Sequence, residues 1–230
     1  MGVRISEIFY SIQGEGRLTG LPSVFIRTSG CNLRCVWCDT PYTSWKPEGA
    51  NWSLAKILRE VEKHPTRYVV ITGGEPLLAP QIEELARELK NRGAHTTIET
   101  AATIYKPIAC DLMSMSPKLA NSTPWKRARG QFAKMHEERR INLPVIRQYL
   151  DQSDYQLKFV VERREDFVEI GKLLDHLSGV DPARVLIMPQ GTTEPELRRK
   201  AKWIVELCKK YGYRFTPRLH IQLYGNRRAT

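Results

Sequence analysis

Three cysteines, Cys31, Cys35 and Cys38, fall within eight residues. Thiols at C-x3-C-x2-C spacing can converge on one small object without help from the rest of the chain, and cysteines so spaced usually signal metal. A structural zinc site closes its tetrahedron with four protein ligands, yet no fourth Cys or His lies near this group. Three thiolates leave one corner open. That suits an iron–sulfur cluster with one iron free to bind something else. A zinc knuckle, or reduced thiols holding nothing, are the bland alternatives.

Residues 3–10 are rich in β-branched and aromatic side chains and read as a strand. A glycine-bearing loop over 11–16 follows, then a second strand over 23–29 that delivers the cysteines at its C-terminal end. In α/β barrels the chemistry gathers at such ends. Ser53 is a good cap for a helix over 54–63, with Leu54, Ile57, Leu58 and Val61 on one face. The apolar run 68–72 reads as a buried parallel strand and ends in Gly73, Gly74, Glu75 and Pro76. A helix follows to Asn91, with Gly93 as its stop. Further strands are expected over 95–99, 108–113, 155–162, 185–188 and 218–224. Helices are expected over 165–177 and 195–211, the latter capped by Thr193. Alternating β and α units imply a parallel sheet with helices outside. The units are too few for eight-fold closure, so the expected fold is α/β, a partial (β/α)6-type barrel. It forms one domain over 1–230, with 119–150 as a variable, basic, partly helical insertion.

The chain has 230 residues, and 41% hydrophobic content is ample for a core. No apolar run approaches the roughly 18 residues a membrane span needs, and the first residues lack a secretory apolar region. No membrane association is expected. An odd count of five cysteines, three of them clustered, is not a disulfide framework. Cys110 and Cys208 read as small buried hydrophobes, and a reducing cytoplasm is the expected setting. The net charge of +11 raises the question of nucleic acid. Its main runs, at 126–129, 139–140, 198–200 and 209–210, fall on expected helix faces among Glu and Asp, the pattern of a solvated surface. Without an RNA-binding motif, direct nucleic-acid binding is not expected.

The thiol spacing resembles that of the radical S-adenosylmethionine (SAM) superfamily. Gly73 to Pro76, about 35 residues beyond Cys38, resembles the superfamily's SAM-binding GGEP motif, and the aromatic Trp37 fits the same pattern. The likeness goes further. Gln13–Gly16, Phe25–Leu33, Cys38–Thr40, Ser116–Lys118 and Arg218–Asn226 together resemble the 7-carboxy-7-deazaguanine synthase family nearly end to end, most weakly over 120–150. That resemblance implies a carbon–nitrogen lyase of the radical SAM core fold. It would convert 6-carboxy-5,6,7,8-tetrahydropterin to 7-carboxy-7-deazaguanine with loss of ammonia, on the route to queuosine, a modified base of tRNA. It also implies a homodimer and a reducing flavodoxin- or ferredoxin-type electron donor.

By the same resemblance, Cys31, Cys35 and Cys38 would hold a [4Fe-4S] cluster and Thr40 would meet Mg2+. SAM would lie along Trp37, Cys38 and Asp39, with Gly74, Thr100, Ser116, Pro117, Lys118 and Gln190. The pterin would meet Ile12, Gln13, Gly14, Glu15 and Thr72. Its carboxylate needs a cation, and Arg27 can grip it in bidentate fashion; the other reading pairs Arg27 with a structural acid. Glu75 and Glu99 could simply cap the following helices. His220 divides between core packing and substrate contact. The main rival is a glycyl-radical-enzyme activating enzyme, which shares the cluster and SAM motifs. Against it stand the Gln13–Gly16 loop and Arg27. A non-enzymatic zinc or RNA-binding module is the rival of a different class.

Overall fold

The structure, a computed structural model, describes residues 2–230. Its strands are β1 (Val3–Ile12), β2 (Pro22–Thr28), β3 (Ala50–Trp52), β4 (Tyr68–Gly73), β5 (His95–Thr100), β6 (Leu112–Met115), β7 (Tyr155–Val161), β8 (Val185–Pro189) and β9 (Arg214–Phe215). They form one open sheet in the order β3-β1-β2-β4-β5-β6-β7-β8-β9. From β2 to β9 every neighbouring pair is parallel. The partial barrel of parallel units expected from the sequence is present. β1 runs antiparallel to β2 and β3, because only a short loop separates β1 from β2 and a parallel return needs a longer crossover.

The helices are α1 (Pro41–Ser44), α2 (Leu54–Val61), α3 (Ile82–Asn91), α4 (Ala133–Arg139), α5 (Leu143–Gln152), α6 (Asp166–Leu177), α7 (Glu194–Tyr211) and α8 (Leu219–Tyr224). Ser53 caps α2 by accepting from Lys56 N at 3.3 Å. Gly93, at φ +78, follows α3 and ends it. Ile57, Leu85, Ile146, Ile170 and Ile204 of five helices all pack into one cluster with Ile26, Ile71, Ile98, Met113, Phe159 and Ile187 of the sheet. Those sheet residues belong to one face. The other face is left to the site.

Two expected strands differ. The strand placed over 108–113 is β6, Leu112–Met115, since Pro107 and a loop carry the chain further before pairing begins. The alternating run 218–224 forms α8 rather than a strand. Ile221 and Gln222 N–H both turn back to the Arg218 carbonyl, at 3.0 and 3.2 Å, and β9 takes the sheet edge instead. The basic run 126–129 is likewise not on a helix face. It lies in a tight 3-10 turn, Arg127–Gly130, with Ala128 and Arg129 in left-handed backbone. No helix among the described residues is long and apolar enough to cross a membrane.

Candidate active site

Strand pairing sets a polar row on the face away from the helices. Arg27 of β2 pairs with Thr72 of β4; Glu99 of β5 pairs with Ser114 of β6, and Ser114 with Gln156 of β7. Side chains alternate across a strand, so the same register that buries Ile26, Ile71 and Ile98 under helices turns these polar groups the other way. Hydrogen bonds knit the row. Thr72 Oγ1 donates to Glu99 Oε2 at 2.9 Å, and Gln156 Nε2 to Ser114 Oγ at 2.8 Å. From the β1–β2 loop, Gln13 Nε2 reaches Glu99 Oε1 at 3.1 Å. The row floors a cavity of about 270 Å³.

The cysteine loop leaves β2 and opens on the same cavity: Cys31, Cys35 and Cys38 all line it. Their sulfurs have donors nearby. Leu33 N–H points at Cys31 Sγ at 3.4 Å, and Ser44 Oγ lies 3.2 Å from Cys38 Sγ. Burial pushes the Cys31 thiol up to about 12 and raises Cys35 as well. Thiols this buried ionise against the positive charge of bound metal. Among the described residues no three His, Cys, Asp or Glu side chains gather around a single ion. Three cavity-facing thiols with N–H and O–H donors beside two of them and no fourth protein ligand are what a cluster with one open iron would need. The donor set fits a [4Fe-4S] group.

A segment beyond β6 clasps this loop from outside. Val36 N–H donates to the Ser122 carbonyl at 2.7 Å, and Trp37 Nε1 to the Asn121 carbonyl at 3.1 Å. Trp45 Nε1 bonds the Cys35 carbonyl at 3.0 Å. His136 of α4 is fully buried. Its Nδ1 accepts from Arg34 N–H at 3.1 Å, and its Nε2 lies 2.9 Å from Ser122 Oγ. Ser122 gives its own proton to the Leu119 carbonyl at 2.6 Å. The ring is therefore the neutral tautomer with hydrogen on Nε2. Burial holds it down at about 4.

The opposite wall is a buried ionic network. Glu15 accepts from Lys158 Nζ on one oxygen and from Arg218 Nε, at 3.0 Å, on the other. Arg218 also binds Asp39 and donates to the Gly191 carbonyl at 2.7 Å. Burial alone would raise Glu15, but Lys158 and Arg218 together hold it far below the ordinary carboxylate range. Asp39 is likewise lowered against its burial by Arg218. Arg27 pairs through Nε with Glu7 Oε1 at 2.7 Å, so the structural-acid reading is realised. Glu7 is held in turn by Tyr42 Oη at 2.9 Å. The terminal guanidinium nitrogens of Arg27 make no hydrogen bond among the described residues, and the side chain lines the cavity.

The expected positions come together. Ile12, Gln13, Gly14, Glu15, Arg27 and Thr72 line the cavity, as do Trp37, Cys38, Asp39, Thr40, Gly74, Thr100, Ser116, Lys118 and Gln190. Pro117 is not on its wall. Gly14 is required by close approach, since a Cβ there would lie 1.9 Å from His220 Nδ1. Gly73, at φ +141, sits where a Cβ would lie 2.3 Å from the Thr28 carbonyl, which allows the turn to close on the cysteine strand. Glu75 caps the turn after it, Pro76–Leu78, through Leu77 N–H at 3.2 Å. It also binds Thr100 Oγ1 at 2.7 Å and Ala101 N–H at 2.9 Å, tying that turn to the end of β5. His220 reaches the cavity from α8.

Sequence reasoning missed Lys158, Glu7 and Tyr42, and gave Arg218 no role. The signal for Lys158 was available: a lysine inside a strand otherwise buried along its whole length. Asn226, Arg227, Arg228 and Thr230, to which the sequence assigns no role, also line the cavity.

A parallel sheet whose C-terminal edge presents three thiols to one cavity defines a radical SAM protein, and residues 25–120 match the model of the Radical SAM superfamily. The 7-carboxy-7-deazaguanine synthases of Rhodopirellula baltica and Halobacterium salinarum are 45% and 44% identical to this chain, over 98% and 96% of it and 88% and 90% of their own lengths. The crystal structure of QueE from Escherichia coli superposes with a TM-score of 0.72 at 26% identity, covering 96% of this chain and 95% of that one. The chain belongs to the 7-carboxy-7-deazaguanine synthase family. With membership come the [4Fe-4S] cluster and SAM of the radical SAM enzymes, and the glycyl-radical activating alternative is not favoured.

Proposed function

We propose that this cavity converts 6-carboxy-5,6,7,8-tetrahydropterin to 7-carboxy-7-deazaguanine with release of ammonia, in queuosine or related 7-deazapurine biosynthesis. One observation carries the reading: three thiols, an arginine with a free fork and the Gln13–Glu15 loop all face one cavity of about 270 Å³. Cluster and SAM, when bound, supply a radical able to abstract hydrogen from the substrate. The chain does the rest. Arg27, aimed by Glu7, takes the substrate carboxylate with its terminal nitrogens. Gln13, Gly14, Glu15 and Thr72, with Ile12 as an apolar neighbour, read the polar edges of the pterin. Because Glu15 and Gln13 are already fixed by Lys158, Arg218 and Glu99, they cannot turn to suit a wrong ring, which is how a polar pocket discriminates.

Cys31, Cys35 and Cys38 hold the cluster. The peptide of Trp37 to Asp39, Gly74, Thr100, Ser116 to Lys118 and Gln190 bind SAM; Pro117 serves only through the backbone it stiffens. Among the described residues the Lys118 ammonium is bonded only to Ser116, at 2.7 and 2.8 Å, which leaves its charge for a carboxylate. The Thr40 hydroxyl lies on the cavity and is a hard oxygen donor suited to Mg2+ with waters completing the shell. Residues 1–230 act as one radical SAM domain with 119–150 as its variable helical segment. The protein works in the cytoplasm as a homodimer, fed by a flavodoxin- or ferredoxin-type donor and without direct nucleic-acid or membrane contact.

Anaerobic turnover of the reconstituted protein with dithionite, SAM, Mg2+ and the carboxytetrahydropterin tests this by mass spectrometry. Product formation is expected. SAM cleavage with the pterin returned unchanged would remove the substrate assignment.

A further inference from the structure

Lys200, in the second turn of α7, is only 8% exposed. Among the described residues its ammonium bonds a single partner, Gln190, and bonds it twice. It donates to the Gln190 carbonyl at 2.6 Å and to Gln190 Oε1 at 2.8 Å. Glu196, one turn earlier on the same helix, is placed to answer the charge, yet it accepts from Thr192 N–H at 3.2 Å instead. A lysine buried against neutral oxygens alone costs the fold stability. Local rules of this kind are broken chiefly at working sites, and Gln190 lines the cavity while Lys200 stands behind it.

We propose that Lys200 is a positioning residue for SAM: it fixes the Gln190 amide so that its N–H pair meets an acceptor of the adenosyl group, a ring nitrogen or a ribose oxygen. The proposal rests on the reading of Gln190 as a SAM residue and adds what holds that residue in place. Lysine is a donor only, so the oxygen end of the amide must face it. What Gln190 then offers the cavity is its nitrogen, whose hydrogens are unspent among the described residues. The backbone is pinned as well. Gln190 N–H bonds the Val161 carbonyl at 2.8 Å, and Arg218 bonds the Gly191 carbonyl at 2.7 Å. An unheld glutamine would present either end of its amide from several rotamers. Lys200 removes that choice before the ligand arrives, which lowers the cost of binding. Lys200 does not itself touch SAM.

The test titrates SAM, and separately the carboxytetrahydropterin, into the reconstituted enzyme by calorimetry, without reductant so that nothing turns over. Lys200→Met keeps the bulk of the side chain and removes the donor. It should weaken SAM about tenfold, the scale of one or two hydrogen bonds, and leave the pterin affinity unchanged. Lys200→Arg, which keeps the donors, should recover most of the SAM affinity. On a Gln190→Leu background, Lys200→Met should cost nothing further, because the two residues act as one unit. Unchanged SAM affinity in Lys200→Met, where Gln190→Leu does weaken SAM, would overturn the proposal alone; a lowered Tm in that variant would then mark Lys200 as a structural residue. Equal losses of SAM and pterin affinity, or strict additivity of the two substitutions, would overturn it too. Unchanged SAM affinity in Gln190→Leu would instead take Gln190 out of the SAM site, and the underlying reading would fall with the proposal.

Discussion

His136 links the clasp to the cysteine loop, and its protonation should cost stability in a defined pH window. Its Nδ1 accepts the Arg34 N–H, so adding a proton there sets donor against donor inside a buried site. Above pH 6.5 neither the folded nor the unfolded chain carries this proton, and stability does not depend on it. Between 6.5 and about 4 only the unfolded chain is protonated, so stability falls as pH falls. Below about 4 both states carry the proton and the loss is complete. The gap between the two values corresponds to about 3 kcal/mol at 1.36 kcal/mol per pH unit. Denaturant midpoints between pH 7.5 and 4.5 measure this, with His136→Gln as the control that can neither gain the proton nor lose both bonds. The wild-type curve should slope by roughly 2 kcal/mol more than the variant over that range. Comparing the two proteins removes the carboxylates, which contribute chiefly nearer pH 4. It also removes His220, which burial lowers in the same direction. Parallel curves for the two proteins would refute the reasoning, since the proton then could not be entering at His136.

Arg27→Ala should leave iron and sulfide content unchanged and lower kcat/KM for the pterin about 100-fold, the loss of two charge-assisted hydrogen bonds at roughly 1.5 kcal/mol each; equal turnover would take Arg27 out of the site. Gly14→Ala drives a Cβ into His220 and should cost about 1–3 kcal/mol. At about 2–4 °C of Tm per kcal/mol for a chain of this size, calorimetry should see a clear drop, and an unchanged Tm would mean that α8 moves freely. Lys158→Met leaves Glu15 to Arg218 alone in a buried setting and should destabilise by about 3–5 kcal/mol. Adding Glu15→Gln should recover much of that loss in a double-mutant cycle; strict additivity would break the link between the two.

The thiols, the glycine turn and the parallel strands were legible in the sequence because each is a local pattern: spacing, a βα junction, an apolar run. The failures share a cause as well. Residues 218–224 alternate like a strand over so few positions that a helix satisfies them equally, and only the anchoring of Arg218 by Glu15 and Asp39 decides. That anchoring spans 203 residues of sequence in one contact, and no local pattern carries such a pairing. Glu7 and Arg27 were each visible, but their pairing depends on the antiparallel register of β1 on β2, which follows from loop length rather than from either side chain.

The polar row makes the same point from the other side. Gln156 and Lys158 break an otherwise apolar strand, and burial of an unpaired lysine is costly. Such residues are tolerated only where something answers them, so their presence in β7 already implies a carboxylate or a ligand across the sheet. Glu15 is that carboxylate, and it belongs to the loop that the resemblance assigns to the substrate. Lys158 and Arg218 therefore stabilise the fold and hold the loop proposed to read the substrate by the same contacts. A substitution there cannot separate stability from specificity, whereas Arg27 spends only Nε on Glu7 and leaves its terminal nitrogens unspent, so its removal costs the fold one ion pair rather than a network. On the function proposed above, that contrast makes Arg27 rather than the deeper network the place to separate activity from stability.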